Sequence, residues 1–190
     1  MTKKEIRKLY LEKRNTLSEK ELLAFDDLLL IQLQKMSFSN PKILLSYFPI
    51  ENKKEPNTEL FTKYLQYSNP NLNIAYPVSD FANSSMKALL TNDETEFTKN
   101  NFKIFEPISA HEILINDIDI IFVPLLAFDK EGYRVGYGKG FYDKYLENHS
   151  PYIIKIGFSY FEPISKIEDR NSFDVPLDYC ITPHKIYEFE

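Results

Sequence analysis

The chain has 190 residues, of which 43% are hydrophobic and 15% aromatic, and its formal net charge is −5. The apolar content is enough to bury a core, which excludes a disordered chain, and the length predicts a single domain over residues 1–190. The acidic balance argues against a nucleic-acid binder, which needs a basic face. The single cysteine excludes an internal disulfide, and no apolar run is long enough to span a membrane. We therefore expect a cytoplasmic protein without a membrane partner.

Two capping boxes, Thr2–Glu5 and Ser18–Glu21, predict the first two helices, which should run to about residues 14 and 35. On the first helix, Lys3, Arg7 and Arg14 fall within a narrow wedge beside the apolar stripe. By itself, such a wedge is typical of a basic face in contact with solvent. The second helix has a broad apolar side and is predicted to serve the core alone.

The rest of the chain alternates strands with helices. Short apolar runs predict strands at residues 42–48, 71–76, 86–90, 117–123, 152–158 and 177–181. Helices are predicted at 59–66, capped by Asn57 or Thr58, and at 141–147. Residues 91–103 are polar and are expected to be mostly loop. This alternation predicts an α/β fold, a three-layer α/β/α sandwich around a mostly parallel sheet.

The most informative stretch is residues 124–143, PLLAFDKEGYRVGYGKGFYD. Four of the five glycines in the protein fall between residues 132 and 140, and glycine allows positive φ and close approach of a ligand to bare amides. Arg134 and Lys139 are interleaved with these glycines, while Asp129 and Asp143 bracket them. Open amides, cations and carboxylates together suit a polyphosphate and its metal.

The stretch follows a predicted strand and precedes a predicted helix, so it should lie at the edge of the sheet where open α/β folds bind ligands. If that helix starts near Lys139, then Lys139 and Asp143 share one of its faces. The stretch is not a Walker A loop, because Gly138-Lys139 is followed by Gly140, and it does not match the dinucleotide pattern G-x-G-x-x-G. The alternative is a glycine-rich turn that only joins strand to helix.

Taken whole, residues 124–143 closely resemble the signature of the 5-formyltetrahydrofolate cyclo-ligase (methenyltetrahydrofolate synthetase) family, nearly without gaps. The resemblance implies ATP-dependent closure of 5-formyltetrahydrofolate to 5,10-methenyltetrahydrofolate, with release of ADP and phosphate after phosphorylation of the formyl oxygen. It implies Mg²⁺ as cofactor, ATP as co-substrate, and a monomer or weak dimer. The alternatives are an ATP-independent isomerase or deaminase on a similar scaffold, and a folate- or nucleotide-binding protein without turnover.

The resemblance also implies roles for residues outside the loop. Lys3 and Arg7 keep the Lys-x-x-x-Arg spacing that holds ATP phosphates in the family, and Arg134 and Lys139 are expected to be catalytic. Tyr137 stands where some relatives carry arginine, so one cation is missing. The residues expected to contact ATP are Lys3, Arg7, Arg134, Val135, Gly136, Tyr137, Gly138, Lys139, Gly140, Phe141 and Tyr142.

For the folate, the resemblance implies Glu55, Phe141 and Tyr142. Glu55 belongs to a Glu-x-x-Thr element, but the loop before it is longer than usual in the family, which leaves Glu51 as the alternative. Core packing is the alternative role for the two aromatic rings. For the metal, the resemblance implies Asp143 and Asp174, the latter in an Asp-Val-Pro-Leu-Asp element. A loop aspartate bound by backbone amides is the alternative for Asp174.

Overall fold

The computed structural model describes residues 1–147 and 149–189, apart from the side chain of Glu51. Within these ranges the helices are α1 (Lys3–Thr16), α2 (Glu19–Leu33), α3 (Thr58–Ser68) and α4 (Phe141–Leu146). The strands are β1 (Ile43–Leu45), β2 (Asn73–Asp80), β3 (Ser85–Thr91), β4 (Phe97–Lys99), β5 (Phe105–Pro107), β6 (His111–Ile113), β7 (Ile120–Phe122), β8 (Ala127–Phe128), β9 (Arg134–Val135), β10 (Ile154–Phe158), β11 (Tyr179–Ile181) and β12 (Ile186–Glu188). None of the described helices is both long enough and apolar enough to cross a bilayer.

The main sheet has the strand order β12-β11-β10-β7-β1-β2-β3-β6. Its five central strands, β11 to β2 in that order, pair in parallel, while β12, β3 and β6 add antiparallel edges. The predicted α/β class and mostly parallel sheet are therefore confirmed. The β8–β9 and β4–β5 pairs form two small hairpins outside this sheet.

Neighbouring residues of the central strands point into two different cores, because side chains alternate across a strand. Leu44 packs with α2 and α3 in one core, whereas Leu45 packs with Leu146 of α4 in the other. Ile120 and Ile121 divide in the same way. Helices thus cover both faces of the sheet, as the three-layer prediction requires.

A third, smaller core ties α1 to the β8–β9 hairpin. Ile6 and Tyr10 of α1 pack there against Leu126 and Val135. Asp129, fully buried, shapes the hairpin: its Oδ1 accepts from the backbone N–H groups of Glu131 and Tyr133 at 3.0 and 3.1 Å. Its carbonyl also accepts from the N–H of Gly132 at 3.1 Å, so Asp129 has a structural role in the hairpin turn.

Two local predictions are wrong. Helix α4 begins at Phe141, because Gly140 precedes it with φ of 72°, a left-handed conformation that cannot belong to the helix. Lys139 and Asp143 therefore do not share a helix face. The segment 177–181 is not the last strand, since β12 follows it. The polar region 91–103 is mostly loop, as expected, with β4 as a short strand within it. For α3 the cap is Asn57, whose side chain accepts from the N–H of Leu60 at 3.2 Å.

Candidate active site

A cleft of about 1050 Å³ opens beside the carboxyl ends of the adjacent parallel strands β1 and β7. Tyr47 and Phe48, which follow β1, and Pro124, which follows β7, form part of its wall. The structure brings every residue predicted for ATP, folate or metal to this one cleft. They are Lys3, Arg7, Glu55, Arg134, Val135, Gly136, Tyr137, Gly138, Lys139, Gly140, Phe141, Tyr142, Asp143 and Asp174.

The glycine loop (residues 136–140) forms one wall, and its backbone is held by α1. The Nε of Arg7 donates to the carbonyl of Gly136 at 2.9 Å. Gly138 has φ of 91°, and a β-carbon there would lie 3.1 Å from the Arg7 guanidinium. Glycine is therefore favoured at position 138 for its backbone conformation, and a side chain there would press on the Arg7 guanidinium.

Arg134 lies under this loop and is almost completely buried. It donates through Nη2 to Oδ1 of Asp143 at 3.0 Å and through Nη1 to the carbonyl of Val175 at 2.5 Å. Burial lowers the pKa of the Arg134 guanidinium, and the Asp143 carboxylate opposes that shift. The guanidinium thus joins the start of α4 to the 174–175 segment and places a fixed positive charge at the cleft.

Lys3 and Asp174 form an ion pair at the mouth of the cleft. The Nζ of Lys3 lies 2.6 Å from each carboxylate oxygen of Asp174. A cation predicted to bind phosphate and a carboxylate predicted to bind metal therefore neutralise each other. Lys139 is exposed, and within the described residues it makes no hydrogen bond or ion pair.

Glu55 is buried, and both of its carboxylate oxygens accept hydrogen bonds. The N–H of Ile50 donates to Oε2 and the Tyr137 hydroxyl donates to Oε1, each at 2.6 Å. Burial raises the pKa of the Glu55 carboxyl, while these two donors act in the opposite direction. The side chain of Glu51 lies outside the described part of the chain, so the choice between Glu51 and Glu55 stays open.

Several aromatic rings that no sequence motif indicated also border the cleft. Phe81 contacts Phe141 edge to face, with ring centroids 5.0 Å apart, and stacks on Phe102 at 3.9 Å. Phe102 is 51% exposed, and Phe173, which also lines the cleft, is 70% exposed. These rings are distant in sequence from the glycine loop and follow no periodic pattern, so no sequence signal marks them.

Whether the site suits Mg²⁺ depends on which carboxylate oxygens are available to bind it. Among the described residues, no three His, Cys, Asp or Glu side chains are grouped to hold a metal, and Oδ2 of Asp143 has no hydrogen-bond partner. Mg²⁺ commonly binds one or two carboxylates while substrate phosphates and water complete its shell. Asp143 fits that pattern. Asp174 fits only when Lys3 leaves its carboxylate.

The fold and the site define an α/β enzyme whose cleft combines a glycine loop, cations and apolar rings, which suits a ligand with both phosphate and ring groups. The model of the 5-formyltetrahydrofolate cyclo-ligase family matches residues 1–183. The chain belongs to that family, as the resemblance of residues 124–143 predicted, and the predicted enzyme class is confirmed with it.

Relatives and solved structures agree with this assignment. The 5-formyltetrahydrofolate cyclo-ligase of Mycoplasma genitalium is 32% identical over 181 residues, which cover 94% of this chain and 97% of the relative. That of Haemophilus influenzae is 31% identical over 72% of this chain and 73% of its own length. The solved 5,10-methenyltetrahydrofolate synthetase of Aquifex aeolicus superposes with a TM-score of 0.82 at 30% identity, covering 100% of this chain and 94% of its own. The Mycoplasma pneumoniae synthetase gives a TM-score of 0.74 at 26% identity, over 95% and 98% of the two chains.

Proposed function

We propose that the protein closes 5-formyltetrahydrofolate to 5,10-methenyltetrahydrofolate at the expense of ATP, releasing ADP and phosphate. The observation that carries this proposal is the meeting, in one cleft of a cyclo-ligase family member, of the glycine loop, Lys3, Arg7 and Glu55. The first three suit a polyphosphate, and the buried carboxylate suits the N–H groups of a folate.

The chemical difficulty is that a formamide carbon is a weak electrophile and its oxygen a poor leaving group. In the proposed reaction the formyl oxygen attacks the γ-phosphorus, an O–P bond forms, and the bond to ADP breaks. N10 of the folate then attacks the activated carbon and loses its proton. The C–O bond breaks last and phosphate leaves. The protein must hold the oxygen in line with the phosphorus and neutralise charge as it moves.

Phosphate binding is assigned to α1 and the glycine loop. Arg7 is already anchored on the loop through its Nε, which leaves the rest of its guanidinium for phosphate oxygen. Lys139 is free of protein partners within the described residues and is assigned to the transferred phosphoryl group. Lys3 is assigned to phosphate as well, on release from Asp174. Mg²⁺, when bound at Asp143, would add positive charge to the phosphate oxygens.

Folate binding is assigned to the part of the cleft around Glu55, next to the glycine loop. Glu55 offers a fixed acceptor, and Phe141 and Tyr142 offer apolar surface beside it. Phe102 and Phe173 add exposed rings at the rim. An elongated ligand with a fused ring system matches this combination of a polar anchor and aromatic walls.

The test is a direct assay of the purified chain with 5-formyltetrahydrofolate and Mg-ATP, following the methenyl product and ADP together. We expect one ADP per methenyl product and no product when either ATP or Mg²⁺ is omitted. Binding of both ligands without product would replace the proposal with a binding protein. Product without ADP would replace it with an ATP-independent enzyme.

A further inference from the structure

Behind the cleft, Arg14 of α1 reaches Glu55 through one intermediate side chain. Arg14 is fully buried, so it does not belong to a solvent-facing basic wedge. Its Nη1 donates to the Tyr137 hydroxyl at 3.2 Å, and that hydroxyl donates to Oε1 of Glu55 at 2.6 Å. Its Nη2 donates to the carbonyl of Leu125 at 2.7 Å, which anchors the guanidinium.

The direction of these two hydrogen bonds follows from which side chains can donate and which can accept. Arginine has donors only, so the Tyr137 oxygen must accept from Arg14, and its single proton is directed at Glu55. Burial, and then the Glu55 carboxylate, raise the pKa of the Tyr137 hydroxyl well above its usual range, so this proton stays on tyrosine. The result is a buried cation and a buried anion joined by a neutral hydroxyl.

We propose that Arg14 is a positioning residue of the site: acting through Tyr137, it fixes the orientation and the negative charge of the Glu55 carboxylate that receives the folate. This inference rests on the proposed function for its substrate, but its structural part does not. Tyr137 then has a second role beside the one predicted for it at the ATP phosphates. Arg14 itself does not line the cleft, so its effect on the substrate must pass through the tyrosine.

The charge of Glu55 is set by groups from several elements. Burial raises its pKa, and the Ile50 N–H, Tyr137, Arg14 and Lys53 lower it, in that order of influence. Among the described residues, three phenols also interact with it, and phenols are neutral near pH 7. They are Tyr47 after β1, Tyr142 in α4 and Tyr160 after β10. Arg14 and Lys53 are thus the cations that favour the ionised carboxylate, and Arg14 is the buried one.

The test compares Arg14→Met, Arg14→Lys and Tyr137→Phe with wild type in KM, kcat and the pH profile of kcat/KM. The control is Tyr145→Phe, which removes a buried hydroxyl that has no hydrogen-bond partner among the described residues. We expect Arg14→Met and Tyr137→Phe each to raise the KM for 5-formyltetrahydrofolate about tenfold. Arg14→Met should leave kcat and the KM for ATP nearly unchanged, because Arg14 does not line the cleft and only uniform binding of the folate is lost. The acid limb of the kcat/KM profile should move to higher pH in Arg14→Met and Tyr137→Phe. In Arg14→Lys it should move less, because a cation is kept. Tyr145→Phe should match wild type.

A wild-type folate KM and acid limb in both Arg14→Met and Tyr137→Phe would overturn the proposal. Should Arg14→Met fail to fold, Tyr137→Phe keeps the test decisive, because it removes one hydroxyl and leaves the ring. A ¹³C titration of the glutamate carboxyls, with Glu55→Gln to identify the resonance, measures the same effect without substrate. If wild type makes no methenyl product, the proposed function fails. If the Glu55 titration is the same in wild type and both variants, the role of Arg14 fails.

Discussion

The ion pair between Lys3 and Asp174 joins the first turn of α1 to the segment before β11, with the Lys3 Nζ 2.6 Å from both carboxylate oxygens. The pair lies at the cleft and is only partly exposed. Because Asp174 is occupied in this way and Asp143 keeps Oδ2 free within the described residues, the two predicted metal ligands are not equivalent.

The first prediction follows from that difference. Asp143→Asn is expected to raise the Mg²⁺ concentration for half-maximal activity about tenfold or more, because it removes the carboxylate with a free oxygen. Asp174→Asn should raise the Mg²⁺ concentration for half-maximal activity less than Asp143→Asn does. It should change the KM for ATP more, since it leaves Lys3 without its counter-ion. Activity measured against Mg²⁺ at fixed ATP, and against ATP at saturating Mg²⁺, separates the two. Equal Mg²⁺ dependence in both variants would mean that Asp174 binds metal as Asp143 does.

The second prediction concerns Lys139 of the glycine loop. A lost charge-assisted phosphate contact costs about 1.5–3 kcal/mol. Lys139→Ala should therefore lose roughly ten- to hundredfold in ATP-dependent turnover. Its melting temperature should stay that of wild type, because the side chain has no partner within the described chain. Lys130→Ala is the matched control, an exposed lysine outside the cleft. Unchanged kinetics in Lys139→Ala would remove this residue from the site.

The third prediction uses two glycines with similar backbones. Gly138 and Gly140 both have positive φ, so alanine at either position should cost about 1–3 kcal/mol of unfolding free energy. Only at Gly138 would the new β-carbon press on Arg7, because nothing lies within 4 Å of a β-carbon at Gly140. Gly138→Ala should therefore weaken ATP binding more than Gly140→Ala, as measured by calorimetry. Equal ATP affinities would show that the contact of Arg7 with the loop does not matter for the nucleotide.

The fourth prediction concerns Asp26 of α2 and pH. Burial raises the pKa of the Asp26 carboxyl, although its Oδ1 accepts from the N–H of Asn57 at 3.1 Å and from the Tyr160 hydroxyl at 2.8 Å. The folded state then holds this proton more tightly than the unfolded state, so the stability it contributes is present at low pH and is lost as pH rises through the folded pKa.

Asp26→Asn keeps an acceptor for both donors and abolishes the titration. In urea unfolding between about pH 4 and pH 7, the variant should gain stability relative to wild type as pH rises. The exposed Glu12 of α1, changed to Gln, is the control and should leave the pH dependence unaltered, since it is not among the groups that shift the Asp26 pKa. A constant stability difference between Asp26→Asn and wild type across this range would contradict the prediction.

The sequence by itself determined the features that depend on neighbouring residues. Both N-terminal capping boxes form as predicted, because Thr2 and Ser18 each need only a glutamate three residues away. The glycine clustering located the loop, since positive φ is a local requirement that few other residues meet. Short apolar β-branched runs identified the central strands in the same local way.

Only the tertiary structure decided which distant side chains meet. Arg14 and Glu55 are far apart in sequence, and their link through Tyr137 exists because α1 packs on the β8–β9 hairpin. Periodicity placed Arg14 beside Arg7 on a helix face, but it cannot tell whether that face meets water or another element. The fold brings the Arg14 cation near the buried Glu55 carboxylate, because burial of a carboxylate favours a compensating charge wherever the fold can bring one.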